Sequence, residues 1–183
     1  MNKKSNLFIK SNLFIIVYFI FLVSNNNQLM ANCIDATVKA EIKYNLPKGL
    51  LTAISFTESG RTLKNGIKTS WPWTVNMGGK GKFFSTKEDA LKYVKANIKK
   101  GKKNIDIGCM QVNMLYHPNA FKSLEEAFDP YINTLWAADW LKKLQKQHKS
   151  WREAAGYYHS SRPKRKKDYS IHILIIEVII MWN

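Results

Sequence analysis

Leu50-Leu51-Thr52-Ala53-Ile54-Ser55-Phe56-Thr57-Glu58-Ser59-Gly60-Arg61 is the stretch on which the reading of this chain turns. Leu50, Leu51, Ala53 and Ile54 recur at helical spacing and do not alternate as a strand would, so they form one stripe of an α-helix. Glu58 ends the stripe. Gly60 is the residue type that takes the left-handed backbone conformation closing a helix, which predicts Glu58 in the last turn. The negative end of the helix disfavours a second negative charge there, and burial beside Phe56 disfavours it further, so the carboxyl is expected to hold its proton to higher pH. Such an acid can give its proton to a leaving group and take one back. The residues alone leave a second reading open, an ordinary exposed glutamate at a helix end.

On the N-terminal side, Asp35 to Tyr44 reads as a helix, and Asn45-Leu46-Pro47-Lys48-Gly49 separates it from the Glu58 helix because proline starts helices and does not sit inside them. On the other side, Asn65-Gly66 marks a turn. Trp71-Pro72-Trp73-Thr74-Val75-Asn76 and Lys82-Phe83-Phe84 then flank Gly78-Gly79-Lys80-Gly81 as a small β-hairpin. Trp71 and Trp73 are either core aromatics or a wall on which sugar rings stack. Ser85-Thr86-Lys87-Glu88 has the spacing of a capping box and opens a helix to about Lys100, with Ala90, Leu91, Val94 and Ile98 facing inward. Ile105, Ile107 and Cys109 alternate as a short strand, and Gly108 marks a close backbone approach.

Asn119 to Ala127 is a short helical connection, and Phe128-Asp129-Pro130 starts a long helix from Tyr131 to about His148. Its inner face carries Ile132, Leu135, Trp136, Ala138, Leu141 and Leu144, interrupted by Asp139, which makes it the expected central scaffold. Ser150 caps a helix from Trp151 to about Tyr158, and Ser161-Arg162-Pro163 ends it. Ser170 to Asn183 is too short to cross a membrane and too apolar for a solvated tail. It is either a final packed helix or strand, or an aggregation-prone end left by a changed reading frame.

A chain of 183 residues suits one domain with a real core. Lys3, Lys4 and Lys10 precede the apolar run Leu13 to Val23, whose eleven residues are too few for a bilayer span and fit the core of a secretory signal. Leu29-Met30-Ala31 offers a cleavage site after Ala31, so residues 1–31 are read as a signal peptide and the mature chain as having no transmembrane helix; lipid attachment at Cys33 and an uncleaved anchor are the other outcomes. Cleavage there removes three lysines and no acid, taking the formal charge from +16 to +13. A surface of that charge attracts polyanions. Basic residues scattered over helices and loops, without a recognition motif, argue against nucleic acid and for an anionic cell-wall or outer-membrane surface. Export implies an oxidising compartment, in which Cys33 and Cys109 are either a disulfide or two buried thiols. His117, His148, His159 and His172 form no ligand cluster with cysteine or acids, so no metal and no cofactor is implied.

Glu58-Ser59-Gly60, Gly108-Cys109-Met110-Gln111, Ala155-Gly156-Tyr157-Tyr158-His159-Ser160 and Tyr169 follow one another in the order and approximate spacing of the lytic transglycosylases that share the goose-type lysozyme fold. Pro72-Trp73-Thr74-Val75-Asn76 and Tyr158-His159-Ser160 are similar to a periplasmic bacterial branch of that family. The resemblance covers about residues 33–169. It implies a mainly α (α+β), lysozyme-like domain with a β-hairpin insertion at residues 32–169, followed by an atypical apolar tail at 170–183. It also implies cleavage of the β-1,4 bond between N-acetylmuramic acid and N-acetylglucosamine in peptidoglycan, with formation of a 1,6-anhydro ring. Glu58 would be the single acid and base. Ser59 and Gln111 would hydrogen-bond the substrate, Met110 would line the groove, Tyr158 would hold Glu58 in position, and Tyr169 would complete the substrate-binding set. His159, where the family more often has asparagine, is a structural residue or a substrate contact. A muramidase using Glu58 with Asp106 and a non-catalytic glycan-binding module are the alternatives. The expected setting is a periplasmic monomer serving wall turnover or opening the wall for a secretion apparatus.

Overall fold

The computed structural model describes residues 32–182; the expected signal at 1–31 and the terminal Asn183 lie outside them. Helix α1 (Cys33–Tyr44) begins two residues before the expected start because Asn32 caps it, accepting a hydrogen bond from the Asp35 amide at 2.8 Å. Helix α2 (Leu50–Ser59) follows the predicted break. Leu50 through Ser55 are all buried, so α2 is covered on every side, and it takes the central place that the sequence reading gave to the long helix. Its first turn has no local side-chain cap. Glu41 of α1 supplies one from a distance: the buried carboxylate accepts from the Gly49 amide at 2.9 Å, the Thr52 amide at 2.9 Å and the Thr52 hydroxyl at 3.1 Å. A negative charge at this positive helix end is favourable, and every lone pair used is satisfied.

The chain leaves α2 directly into β1 (Gly60–Thr62), which pairs antiparallel with β2 (Lys68–Ser70). Gly60 has φ −64°, extended and not left-handed as expected. Glycine is required there by space, since a Cβ would strike the Phe56 carbonyl oxygen. A second sheet holds β3 (Thr74–Met77), β4 (Lys80–Phe83), β5 (Ile105–Ile107) and β6 (Val112–Asn113) in the order β4-β3-β5-β6, all neighbours antiparallel. The β3–β4 hairpin turns on Gly78 and Gly79, both at positive φ, the backbone that two-residue hairpin loops demand. Helix α3 (Lys87–Lys99) is capped by Thr86, one residue later than the motif suggested, with the Asp89 amide as donor, and Ile98 is exposed.

After a single turn, α4 (Leu124–Ala127), comes the long helix α5 (Pro130–His148), capped by Asp129 with proline in its first turn. Its buried stripe is Asn133, Thr134, Ala137, Ala138, Leu141 and Leu144. Ile132 is exposed and Asp139 pairs with Lys143 at 2.6 Å on the outside, so the expected inner face is rotated. Helix α6 (Trp151–His159) packs on α7 (Pro163–Trp182) where Gly156 leaves room for the Lys166 carbonyl, 2.9 Å from where a Cβ would stand. Helix α7 runs without a break through Tyr169 and Ser170. Residues 170–182 are therefore the second half of the helix that carries Tyr169, with Ile173 buried, Ile180 against Gly49, and Leu174, Ile175 and Val178 exposed. No helix among the described residues is long and apolar enough to cross a membrane.

Candidate active site

Cys33 and Cys109 form a disulfide between the start of α1 and the turn after β5, both fully buried, with Cα atoms 5.5 Å apart. That turn is shaped by two left-handed residues, Gly108 (φ 84°) and Gln111 (φ 45°). Added to Gly108, a Cβ would come within 2.5 Å of Asn133 Nδ2 and 2.9 Å of the Ala127 carbonyl oxygen, which is why glycine stands there. Asn133 is the hub beneath the turn. Its Oδ1 accepts from the Met110 amide at 2.9 Å, and its Nδ2 donates to the carbonyls of Ile107 at 3.1 Å and Ala127 at 2.9 Å. Sequence reading missed this residue; its only signal was an amide in a stripe otherwise made of small and apolar residues.

The hydroxyls of Ser55 and Ser59 donate to the Cys109 carbonyl at 3.2 and 2.7 Å, which ties the end of α2 to the same turn. Ser59, expected to contact substrate, is buried and spends its hydroxyl on the Cys109 and Ser55 carbonyls. Met110, expected to line the groove, is fully buried in the core. Both expectations are corrected. Apolar burial wins for the methionine and backbone satisfaction for the serine, and the two residues shape the site from behind.

Glu58 leaves the last turn of α2 with its side chain 18 % exposed. The Tyr169 hydroxyl donates to Glu58 Oε1 at 2.7 Å. His159 Nδ1 stands 3.8 Å from the same oxygen, and its ring stacks on Tyr169 with centroids 4.4 Å apart and planes within 4°. Tyr158, expected to hold Glu58, donates instead to the Met110 carbonyl at 2.8 Å. Tyr169 thus holds Glu58, the task expected of Tyr158, while Tyr158 braces the Met110 turn. Burial, and then the Glu58 charge, hold both phenols well above the usual tyrosine range, so both remain donors at physiological pH.

Glu58 opens onto a cleft of about 300 Å³. One wall is the face of the sheet on which Asn76, Asp106 and Asn113 lie directly opposite one another across β3, β5 and β6. Asn113 Nδ2 donates to Asp106 Oδ1 at 2.6 Å. Burial raises the Asp106 carboxyl most, the Asn113 hydrogen bond pulls it back, and the Glu58 charge adds to the rise. Asn76 Oδ1 is buried and has no hydrogen-bond partner among the described residues. Gln111 also lines the cleft, its Nε2 donating to the carbonyls of Thr74 at 3.1 Å and Gly108 at 3.0 Å. The other side is aromatic: Tyr116, His117, Trp136 and Trp140, with Tyr158 beside Glu58. No lysine or arginine is among the described residues that line it.

Trp71 and Trp73 are not in this cleft. Trp71 Nε1 donates to the Phe84 carbonyl at 2.6 Å under the Arg61 guanidinium, edge-on to Trp73 at 5.5 Å. They lock the hairpin to β1, and the reading of them as a sugar wall is corrected. The aromatic wall comes largely from α5, where the sequence reading placed Trp136 on the inner face and assigned nothing to Trp140.

A mainly helical domain with a small antiparallel sheet, a half-buried glutamate at the end of its central helix and a cleft lined by amides and aromatic rings defines a lysozyme-like class of protein. A family model for the transglycosylase SLT domain matches residues 35–171, and the chain belongs to that family of glycan-cleaving lytic transglycosylases, whose substrate is peptidoglycan. No curated protein and no solved structure matches it.

Proposed function

We propose that the protein is a periplasmic peptidoglycan lytic transglycosylase in which Glu58 alone serves as acid and base. The observation that carries this reading is the hydrogen bond from the buried Tyr169 to Glu58, whose carboxyl lines the cleft. It fixes Oε1 and leaves Oε2 as the oxygen that exchanges the proton. Protonated Glu58 gives its proton to the oxygen of the β-1,4 bond as the C1–O bond breaks. The resulting carboxylate takes the proton of the sugar's 6-hydroxyl as O6 closes on C1, giving the 1,6-anhydro product without added water. The acetamido group of the same sugar stabilises the positive carbon, so a second carboxylate has no necessary part. The buried disulfide supports an exported, oxidised setting. The protein acts as a monomer in turnover of the wall or in opening it for a secretion apparatus.

One observation favours a second reading. Asp106 shares the cleft and the electrostatic field of Glu58, as a two-carboxylate hydrolase would require. Digestion of purified peptidoglycan, followed by mass analysis, separates the two: anhydro-muropeptides support the transglycosylase, and reducing ends one water heavier support the hydrolase. Glu58→Gln keeps the shape of the side chain, and on either reading turnover falls by about 10²–10⁴-fold, the usual yield of a positioned acid. Turnover unchanged in a folded Glu58→Gln variant would remove Glu58 as the acid, and glycan binding with neither product would leave only a glycan-binding module.

A further inference from the structure

The proton chemistry at Glu58 makes no use of the aromatic side of the cleft. Trp136 and Trp140, one turn apart on α5, have ring centroids 6.1 Å apart and planes within 18°. His117 closes the group, its ring 4.7 Å from Trp136 and 5.2 Å from Trp140. Behind them the buried Phe121 sits 6.2 Å from Trp136 and anchors the group to the core. Both tryptophans are only partly buried and line the same cavity as Glu58. Burial lowers the His117 imidazole from its usual range, so it is a neutral ring at physiological pH.

Near-parallel aromatic faces with a rim of side-chain amides suit a pyranose ring: C–H groups lie against the indoles while hydroxyl and acetamido groups meet Asn113 and its neighbours. The charges in the cleft narrow the ligand further. Two carboxylates, Glu58 and Asp106, and no cation among the described lining residues make the cavity unfavourable to anionic groups such as the carboxylates of a stem peptide.

We propose that Trp136, Trp140 and His117 form a stacking subsite for an uncharged N-acetylhexosamine unit of the strand, separate from the bond broken at Glu58. This rests on the glycan reading given above. The probe is chitotetraose, a neutral oligomer of N-acetylglucosamine, titrated by calorimetry into the full chain and into Glu58→Gln. Trp136→Ala and Trp140→Ala each weaken binding by about tenfold, the loss expected when one well-buried aromatic anchor is removed. Phenylalanine at either position retains most of the affinity. In the unmodified protein, proton NMR of bound chitotetraose shows upfield ring-current shifts confined to one sugar unit, which a merely structural tryptophan pair would not produce. Absence of those shifts, absence of binding, or affinity indifferent to the alanine variants overturns the proposal. The two readings fail separately. If Glu58 is not the acid, Glu58→Gln turns over normally while tryptophan-dependent binding persists; if the subsite is wrong, Glu58→Gln is inactive and binding ignores the tryptophans.

Discussion

Replacing both cysteines with alanine tests how far the disulfide holds the site and how far it holds the fold. The bond closes a loop of 76 residues, which in the chain-entropy description removes about 15 cal/mol/K from the unfolded state, or about 4.5 kcal/mol at 25 °C. Against a total stability of about 5–15 kcal/mol this is a large share. For a chain of this size, about 2–4 °C per kcal/mol translates it into a melting temperature lower by about 9–18 °C. The site should behave differently. Ser55 and Ser59 bond to the backbone carbonyl of Cys109, and Asn133 bonds to the Met110 amide, and alanine removes none of these. Circular dichroism melts and urea titrations of Cys33→Ala/Cys109→Ala, with turnover measured well below the new midpoint, should show the full stability loss with activity within about threefold of the parent, a free-energy difference under 1 kcal/mol. A loss below about 1 kcal/mol would refute the loop-entropy argument. Collapse of activity in a variant still fully folded would refute the claim that hydrogen bonds, and not the sulfur bridge, position the turn.

Tyr169→Phe removes the hydroxyl that bonds Glu58, and losing a hydrogen bond to a partly buried carboxylate lowers kcat by about 10–100-fold with KM little changed and an unaltered far-UV spectrum. Asn133→Ala strands the Met110 amide and two carbonyls in the core and costs about 3 kcal/mol in a urea titration; a cost under about 1 kcal/mol would remove the hub. Glu177 is pushed up to about 7, by burial first and then by the charge of Glu41. Because its folded value lies above the unfolded one, near 4.3, its favourable contribution is whole below that pH and is lost as pH rises to about 7. Glu177→Gln therefore stabilises the protein at pH 8 by about 1–2 kcal/mol, a figure reduced for the solvent-facing part of the group, and not at pH 4; equal melting differences at both pH values would contradict this.

Much of the architecture was legible because it depends on local rules. Asn45 to Gly49 breaks the chain where proline and glycine predict, Gly78 and Gly79 turn the hairpin, and the Pro130 and Trp151 helices begin behind the caps the sequence offers. Glu58 was legible as the end of an apolar stripe. What stayed hidden depends on which way a side chain turns once segments meet. Serine beside a catalytic-looking acid suggests a substrate contact, but the nearby Cys109 carbonyl is a partner it can reach only in the folded chain. The tryptophans of α5 and of the hairpin are alike in sequence; Trp71 finds an internal acceptor in Phe84, whereas Trp136 and Trp140 face a cavity made by a sheet whose strands are three residues long or nearly so. Rotation of α5 by a fraction of a turn decided the rest, exposing Ile132 and burying Asn133. The role of Tyr169 has the same origin, since α6 and α7 both deliver a phenol to the neighbourhood of Glu58 and their packing, close at Gly156, sets which one bonds to it.

The distribution of charge has an effect on how the protein would travel. Of the formal charge of +16, the three lysines of residues 1–31 account for 3 and the described residues for the other 13, while the cavity presents acids, amides, rings and one valine. Adhesion to a polyanionic mesh is thereby handed to long-range forces that salt screens within about 10 Å at 0.1 M, and the hold on an individual sugar chain to short-range forces that salt hardly touches. Rising ionic strength would loosen the protein from its surroundings without loosening its bite, so that it could pass from strand to strand and still grip each one equally well.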